Sequence, residues 1–468
     1  MISRHERANV EERTRHSRVF VRSVQPKGTK TVRRLHNTVK NFAWGTTDAI
    51  PAILGTAPDG TPCAELWLGA HPLSPSRLDT GDFEQQRSTR RSAQQGSSSS
   101  LDVKTDSSTV GPNLIEYVAG DPAGLLGQDS LRVFGPRLPF LLKVLSAQKA
   151  LSIQVHPNPE QAATGFAREE SQGPDLDSAT RNYKDPSAKP ELIYALTEFH
   201  ALTGFRSRKA VRATFERLLS LSLSATSLDF LGDVISALKS VTEARAFSKA
   251  VELVLGDSRS AGFVDEVAAQ DLAELPEGHI SRSGTAVDPA ETFHELVSDY
   301  PSDPGVLVAL MLNRVHLQPG EALAMESGVL HAYLGGTGIE VMASSDNVLR
   351  GGLTNKHIDI PELGKVAKFT SARPRMVEPD RDGILLGTTE DFALQSLRCP
   401  RLTQVERRGA SIALCTSGTI TLTSLGSTVT LTRGQSVFIA ANEPTVTADG
   451  HGDLFVATTG LETSLPFV

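Results

Sequence analysis

The spacing of apolar residues changes twice along this chain. Up to Phe205 they come in short runs separated by Gly, Pro and Asn, as in LPFLLKVLSA from Leu138 and ALSIQVHPNP from Ala150, which is strand character. From Ser207 to about Val297 the spacing is helical: in RKAVRATFERLLSLSL, Val211, Phe215, Leu218 and Leu219 fall on one helix face, and Gly is scarce. Strand character returns at GVLVALMLNRVHLQPGEALAME from Gly305 and continues through the Gly-rich GVLHAYLGGTGIEVMAS from Gly328. From about Thr370, SIALCTSGTITLTSLGSTVTLTRGQSVFIAANEP holds several short strands with Gly or Ser turns, a pattern that suits a compact jelly roll. Residues 1–36, basic and poor in large apolar side chains, are expected to be a disordered tail. The segment Glu84–Thr109, EQQRSTRRSAQQGSSSSLDVKTDSST, has too few apolar residues to offset its ordering entropy and reads as a surface insertion. The expected organisation is therefore a mainly β chain: a β domain over 37–204 resumed at 305–369, helices over 205–304, and a small β domain over 370–468.

Composition limits the function classes. A net charge of −7 on 468 residues argues against a nucleic-acid or membrane-surface binder, although an acidic protein can still hold a locally basic pocket. Three widely spaced cysteines imply neither a disulfide framework nor a thiolate metal cluster, and fit a cytoplasmic protein. The longest apolar run, Val306–Leu312, is far too short to span a bilayer.

Four segments carry ligand-type residues. If Ser152–His156 is a strand, Ile153 and Val155 face one side while Ser152, Gln154 and His156 face the other. Three polar side chains on one face of an apolar strand fit a wet or metal-filled cavity, or equally a solvent-facing strand. In Lys189-Pro190-Glu191 an extended backbone puts the cation and the carboxylate side by side, as a ligand with its partner or as a surface ion pair. His331 and Tyr333 share a face of the third segment. In the fourth, Glu340 precedes a polar turn holding Asp346, and Arg350 stands before two glycines that allow close approach of a ligand. Gln154, His156, Glu191 and His331 together would make an N2O2 site suited to zinc, iron, manganese or cobalt.

The strings SIQVHP, KPELIYAL, GEALAMESGVLHAYL and IEVMASSDNVLRGGLTNKHID, with weaker matches at NFAWG and AELWLGAHP, resemble the type I phosphomannose isomerases in order and separation. The resemblance runs from about Leu35 to the C-terminus. It implies a cupin catalytic domain with an inserted α-helical domain and a C-terminal second cupin-like domain. The implied activity is isomerisation of mannose 6-phosphate and fructose 6-phosphate through an enediolate, feeding GDP-mannose metabolism, by a cytoplasmic monomer with one zinc ion per chain. The family's zinc ligands fall on Gln154, His156, Glu191 and His331, and its catalytic arginine on Arg350. Glu340, Asp346 and Lys189 match further catalytic positions, and Lys143, Ser152, Tyr333 and Lys356 match substrate- or phosphate-binding ones. Two positions depart from the pattern. Ala188 stands where the family has a His before its KPE motif, which puts the ring-opening group in question and makes His71 of GAHP a candidate. Asn355 stands where Pro is common.

Overall fold

The computed structural model describes residues 32–79, 110–270, 272, 288–387 and 389–461; the Glu84–Thr109 insertion lies outside them. Two antiparallel sheets of ten and eleven strands carry the fold. The eleven-stranded sheet is organised by the strand His331–Ala343, whose far half pairs with Phe140–Ala147 and Glu191–Ala195. Its first residues pair with Gln154–Val155 and Phe199–Phe205. One strand serves both sets across a register shift between Tyr333 and Gly335, next to Gly336. Gly336 has φ +113°, and a Cβ there would lie 2.4 Å from the Glu198 carbonyl oxygen, so only glycine fits.

The strands flanking the helical stretch, Phe199–Phe205 and Leu312–Leu317, pair directly with each other. The chain therefore leaves the sheet and returns to it at one place, with six helices from Arg208 to Ala309 among the described residues between. Their apolar faces do not form a core apart. Phe215, Phe247, Phe263 and Phe293 join Ile153, Val155, Phe205 and Leu349 in one buried cluster, with Phe205 stacked on Phe247 at 4.4 Å between centroids. This shared core fixes the helices against the strands that carry the candidate ligands.

Two expectations need correction. Gly305–Ala309 is a helix, not the start of a strand. All five residues are buried, so the run has no alternation, and a short apolar run alone fits either structure; Asp303 Oδ1 accepts the Gly305 N–H at 2.7 Å and opens the turn. The basic tail does not extend to residue 36, because Val32–His36 is a strand between Ser436–Ile439 and Arg77–Asp79. Its arginines hid it: Val32 and Leu35 are buried while Arg34 donates to Gln435 Oε1. The ten-stranded sheet consequently draws strands from both ends of the chain, rather than from 370–468 alone.

Candidate metal centre

The strand expected over Ser152–His156 is shorter than its alternation suggests. Only Gln154–Val155 is β-paired, with Ser152 and His156 in extended chain on either side. The facing is nonetheless as expected: Ile153 and Val155 are fully buried, and Ser152 and Gln154 line a cleft. Gln154 lies opposite His331 on one neighbour and Arg350 on the other, which brings three of the four ligand segments together. Glu191 opens the strand that pairs with the far half of His331–Ala343.

His156, Glu191 and His331 are buried and offer ligand atoms within 4.8 Å of one another. Glu191 Oε1 lies 3.3 Å from His156 Nε2, and Oε2 lies 3.3 Å from His331 Nε2. Each imidazole is oriented from behind: His156 Nδ1 donates to the Asn347 carbonyl at 2.7 Å and His331 Nδ1 to the Val329 carbonyl at 2.9 Å. A carbonyl only accepts, so both rings carry their proton on Nδ1 and present an Nε2 lone pair. His156 Nε2 is buried with no hydrogen-bond partner, as a donor atom awaiting a cation would be. Burial, with Lys189 adding to it, lowers the His156 pKa to about 4, so the ring is neutral and able to ligate near pH 7. Burial pushes the Glu191 carboxyl up, but Lys189 and the imidazoles more than reverse this and hold it well below the ordinary value. Two imidazole nitrogens and a carboxylate, with Gln154 paired opposite His331, fit a divalent metal.

A ring of buried charge surrounds this group. Lys189 Nζ donates to Glu191 Oε1 at 2.8 Å. Lys143 Nζ lies 3.1 Å from Glu340 Oε2 and 3.4 Å from Glu65 Oε1, and Glu65 Oε2 accepts from Trp67 Nε1 at 2.7 Å. Two lysines thus face three carboxylates, Glu65, Glu191 and Glu340, an imbalance that a cation at the histidines would offset. Burial raises the Glu340 carboxyl, and Glu191 and Glu65 raise it further against the pull of Lys143. Burial opposes the Lys143 charge, yet Glu340, Glu65 and Glu191 prevail and keep it protonated.

The cleft above has a volume of ≈ 870 Å³, within the roughly 300–1,000 Å³ of small-molecule sites. Ser152, Gln154, Lys189, Asp346, Arg350 and Lys356 line it, with Phe42 and Trp44 at one side and Asp299–Pro304 from the helical stretch opposite. Arg350 and Lys356 make no ion pair with any described residue. Gly352, two residues beyond Arg350, has φ +125° and packs so closely that a Cβ would meet Gly305 Cα at 2.2 Å; this seats the arginine turn against the helix Gly305–Ala309. Asp346 Oδ1 lies 3.3 Å from His71 Nε2. Burial raises the Asp346 carboxyl, and His71, Lys189 and Lys143 together lower it below its ordinary value.

Two of the expected site residues stand behind the cleft wall. Tyr333 packs edge-on against Phe199, and its hydroxyl is buried without a hydrogen-bond partner; burial and the nearby Glu340 and Glu191 push its pKa well up. Glu340 is likewise buried behind Lys143. Glu65 was not singled out by sequence reasoning, although a Glu inside the apolar run AELWLG was a usable signal. Asn347 and Asp185 gave none, because an Asn or Asp in a polar turn is ordinary.

The family model for phosphomannose isomerase type I, catalytic domain, matches residues 32–109 and 102–208, and that for the mannose-6-phosphate isomerase cupin domain matches 385–459. The mannose-6-phosphate isomerase of Escherichia coli (strain K12) is 37% identical over 433 residues, covering 90% of this chain and 98% of that protein. That of Rattus norvegicus is 30% identical, covering 86% and 92%. Among solved structures, a variant of the phosphomannose isomerase from Salmonella typhimurium superposes with a TM-score of 0.76 at 32% identity, covering 92% of this chain and all of that one. A zinc-bound mannose 6-phosphate isomerase superposes with a TM-score of 0.74 at 32% identity, with the same coverage. By sequence and by fold, this chain belongs to the type I phosphomannose isomerase family.

Proposed function

We propose that the protein is a zinc-dependent aldose–ketose isomerase that interconverts mannose 6-phosphate and fructose 6-phosphate, supplying or draining the precursors of GDP-mannose. The observation that carries this is the buried His156–Glu191–His331 group, adjoined by Gln154 and Lys189, which line a cleft together with Arg350 and Lys356, two cations without an ion pair among the described residues. Zinc held by these three residues and Gln154 would supply Lewis-acid polarisation of a substrate oxygen.

The protein's own groups account for the rest. Isomerisation removes a proton from C2, returns one to C1 and passes through an enediolate bearing negative charge. Arg350, half-buried and without a carboxylate partner among the described residues, stabilises that charge; one such group is typically worth about 10²–10³ in rate. Of the two carboxylates suited to proton transfer, Asp346 lines the cleft and is ionised, whereas Glu340 is buried behind Lys143. Asp346 is therefore the proton acceptor, with one oxygen held by His71 and the other open to substrate. Lys189 fixes Glu191 through its 2.8 Å contact. Lys356 and Ser152 hold the phosphate. Lys143, matched by two carboxylates, serves the charge balance instead, and Tyr333 supports the ring of His331.

The six helices described between Arg208 and Ala309 form an inserted domain that walls the cleft with Asp299–Pro304, and the ten-stranded sheet, with strands from Val32 to Asn113 as well as from Ile384 onward, forms the second cupin-like domain. No helix among the described residues is long and apolar enough to cross a membrane. We assign the enzyme to the cytoplasm as a monomer acting on a small phosphorylated sugar. The test is a coupled assay that compares mannose 6-phosphate with other hexose 6-phosphates as substrate. Preference for another aldose phosphate would move the protein to a different isomerase.

A further inference from the structure

We infer that Asn347 is a positioning residue that locks the ligand His156, the carboxylate Asp346 and the segment leading to Lys189 and Glu191 into one frame. Asn347 is fully buried, and its amide uses every donor and acceptor it has. Oδ1 accepts the backbone N–H groups of Lys184 at 2.7 Å and Asp185 at 3.2 Å. Nδ2 donates to the carbonyls of Asp185 at 2.7 Å and Ser187 at 2.8 Å. A side chain holding both polarities of a neighbouring backbone acts as a clasp, not a spacer.

Asp185 returns the contact from the other side. Its Oδ2 accepts the Asp346 N–H at 2.8 Å and the Ser345 hydroxyl at 3.0 Å, and its Oδ1 accepts the Ser187 N–H at 2.9 Å. The turn 345–347 and the segment 184–187 are thus zipped together. The backbone carbonyl of Asn347 is the acceptor for His156 Nδ1–H at 2.7 Å. A displacement of Asn347 therefore moves the group that fixes the tautomer and ring angle of His156. Asp346 follows on one side, and Lys189 and Glu191 on the other. Partners of this kind, one bond removed from a metal, typically alter affinity about 10–100-fold when lost.

The inference rests on the reading that His156 ligates the metal, and its test separates the two. Asn347→Asp keeps the shape but sets an oxygen against the carbonyls of Asp185 and Ser187. It should weaken zinc binding, measured by competition with a chromogenic chelator, by about 10–100-fold, and should shift the visible absorption bands of the cobalt-loaded protein. Asp185→Asn, the milder variant should Asn347→Asp fail to fold, should weaken binding in the same direction by a smaller factor. Asn182→Ala removes a 2.8 Å bond to Asp359 from the same segment without touching His156; it should lower thermal stability and leave zinc affinity unchanged. In metal-free protein the His156 Nδ1–H should give an exchange-protected imidazole proton resonance, assigned by its absence in His156→Asn and lost in Asn347→Asp. Should the native protein hold no zinc, the site reading falls, and this resonance still decides the clasp. Zinc affinity within about three-fold of native in both clasp variants, where outer partners give ten-fold or more, would overturn the inference. So would persistence of the resonance in Asn347→Asp, or an equal loss of zinc in Asn182→Ala.

Discussion

His71 Nε2 lies 3.3 Å from Asp346 Oδ1, and the imidazole is buried while the carboxylate reaches the cleft. His71 Nδ1 accepts the Leu73 N–H at 3.3 Å, so the ring offers its own N–H to Asp346. The pair bears on Ala188, where the resemblance to the family implies a histidine. With Asp346 already backed by His71, the protein should be active without an imidazole at 188. Ala188→His should raise kcat only modestly; a rise of about a thousand-fold, comparable to a whole acid–base contribution, would mean that the natural protein is crippled at ring opening.

His71→Asn removes the first contact that lowers the Asp346 carboxyl. A base must be ionised to accept a proton, so activity falls as pH drops through its pKa. With that pKa raised in the variant, the acid limb of kcat/KM should move to higher pH, and kcat at neutral pH should fall by roughly 10-fold or more, chiefly with the cyclic substrate. An unmoved acid limb in a pH–rate profile would take Asp346 out of the proton transfer.

Arg350 and the histidines should separate cleanly. Arg350→Ala should retain close to one zinc per chain by elemental analysis while kcat drops by about 10²–10³. His331→Ala should lose the metal. If Arg350→Ala changed only KM, the arginine would be a substrate-positioning group.

The two lysines first read as phosphate ligands should also differ. Lys143→Met leaves Glu65 and Glu340 buried without their cation and should destabilise the fold by about 3–5 kcal/mol, measured by denaturant unfolding. Lys356→Ala, at an exposed position, should leave stability unchanged and raise KM. A large KM effect with unchanged stability in Lys143→Met would return that residue to the phosphate.

The candidate residues could be proposed from sequence because they lie on short extended segments, where side chains alternate whatever the distant partners are. Ser152 and Gln154 reach the cleft and Val155 the core even though only two residues pair as strand. What stayed hidden depended on contacts remote in sequence. Nothing within Val32–His36 marks it as a strand, since its partners are Ser436–Ile439 and Arg77–Asp79. Gly305–Ala309 was missed as a helix because burial on all sides erased the periodicity that would have named it. The carboxylate partner of Lys143 stayed hidden because Glu65 is 78 residues away in the chain. Asn347 binds a segment some 160 residues earlier.

The Glu84–Thr109 insertion is flanked by strands that meet, with Asp79 opposite Val110 and Arg77 opposite Asn113. Replacing 84–109 by a short Gly-Ser turn should therefore leave turnover within a few-fold, because closure entropy changes slowly with loop length. A failure to fold, seen by circular dichroism, or a large fall in kcat would assign the segment a structural role.

The most direct test of the whole account is the interconversion of mannose 6-phosphate and fructose 6-phosphate by one preparation, assayed as isolated, after exhaustive chelation and after zinc is restored. Activity should disappear on chelation and return in step with zinc bound, reaching its full value near one ion per chain. Full activity in protein shown by elemental analysis to be metal-free would contradict the assignment of His156, Glu191 and His331 as the centre of catalysis.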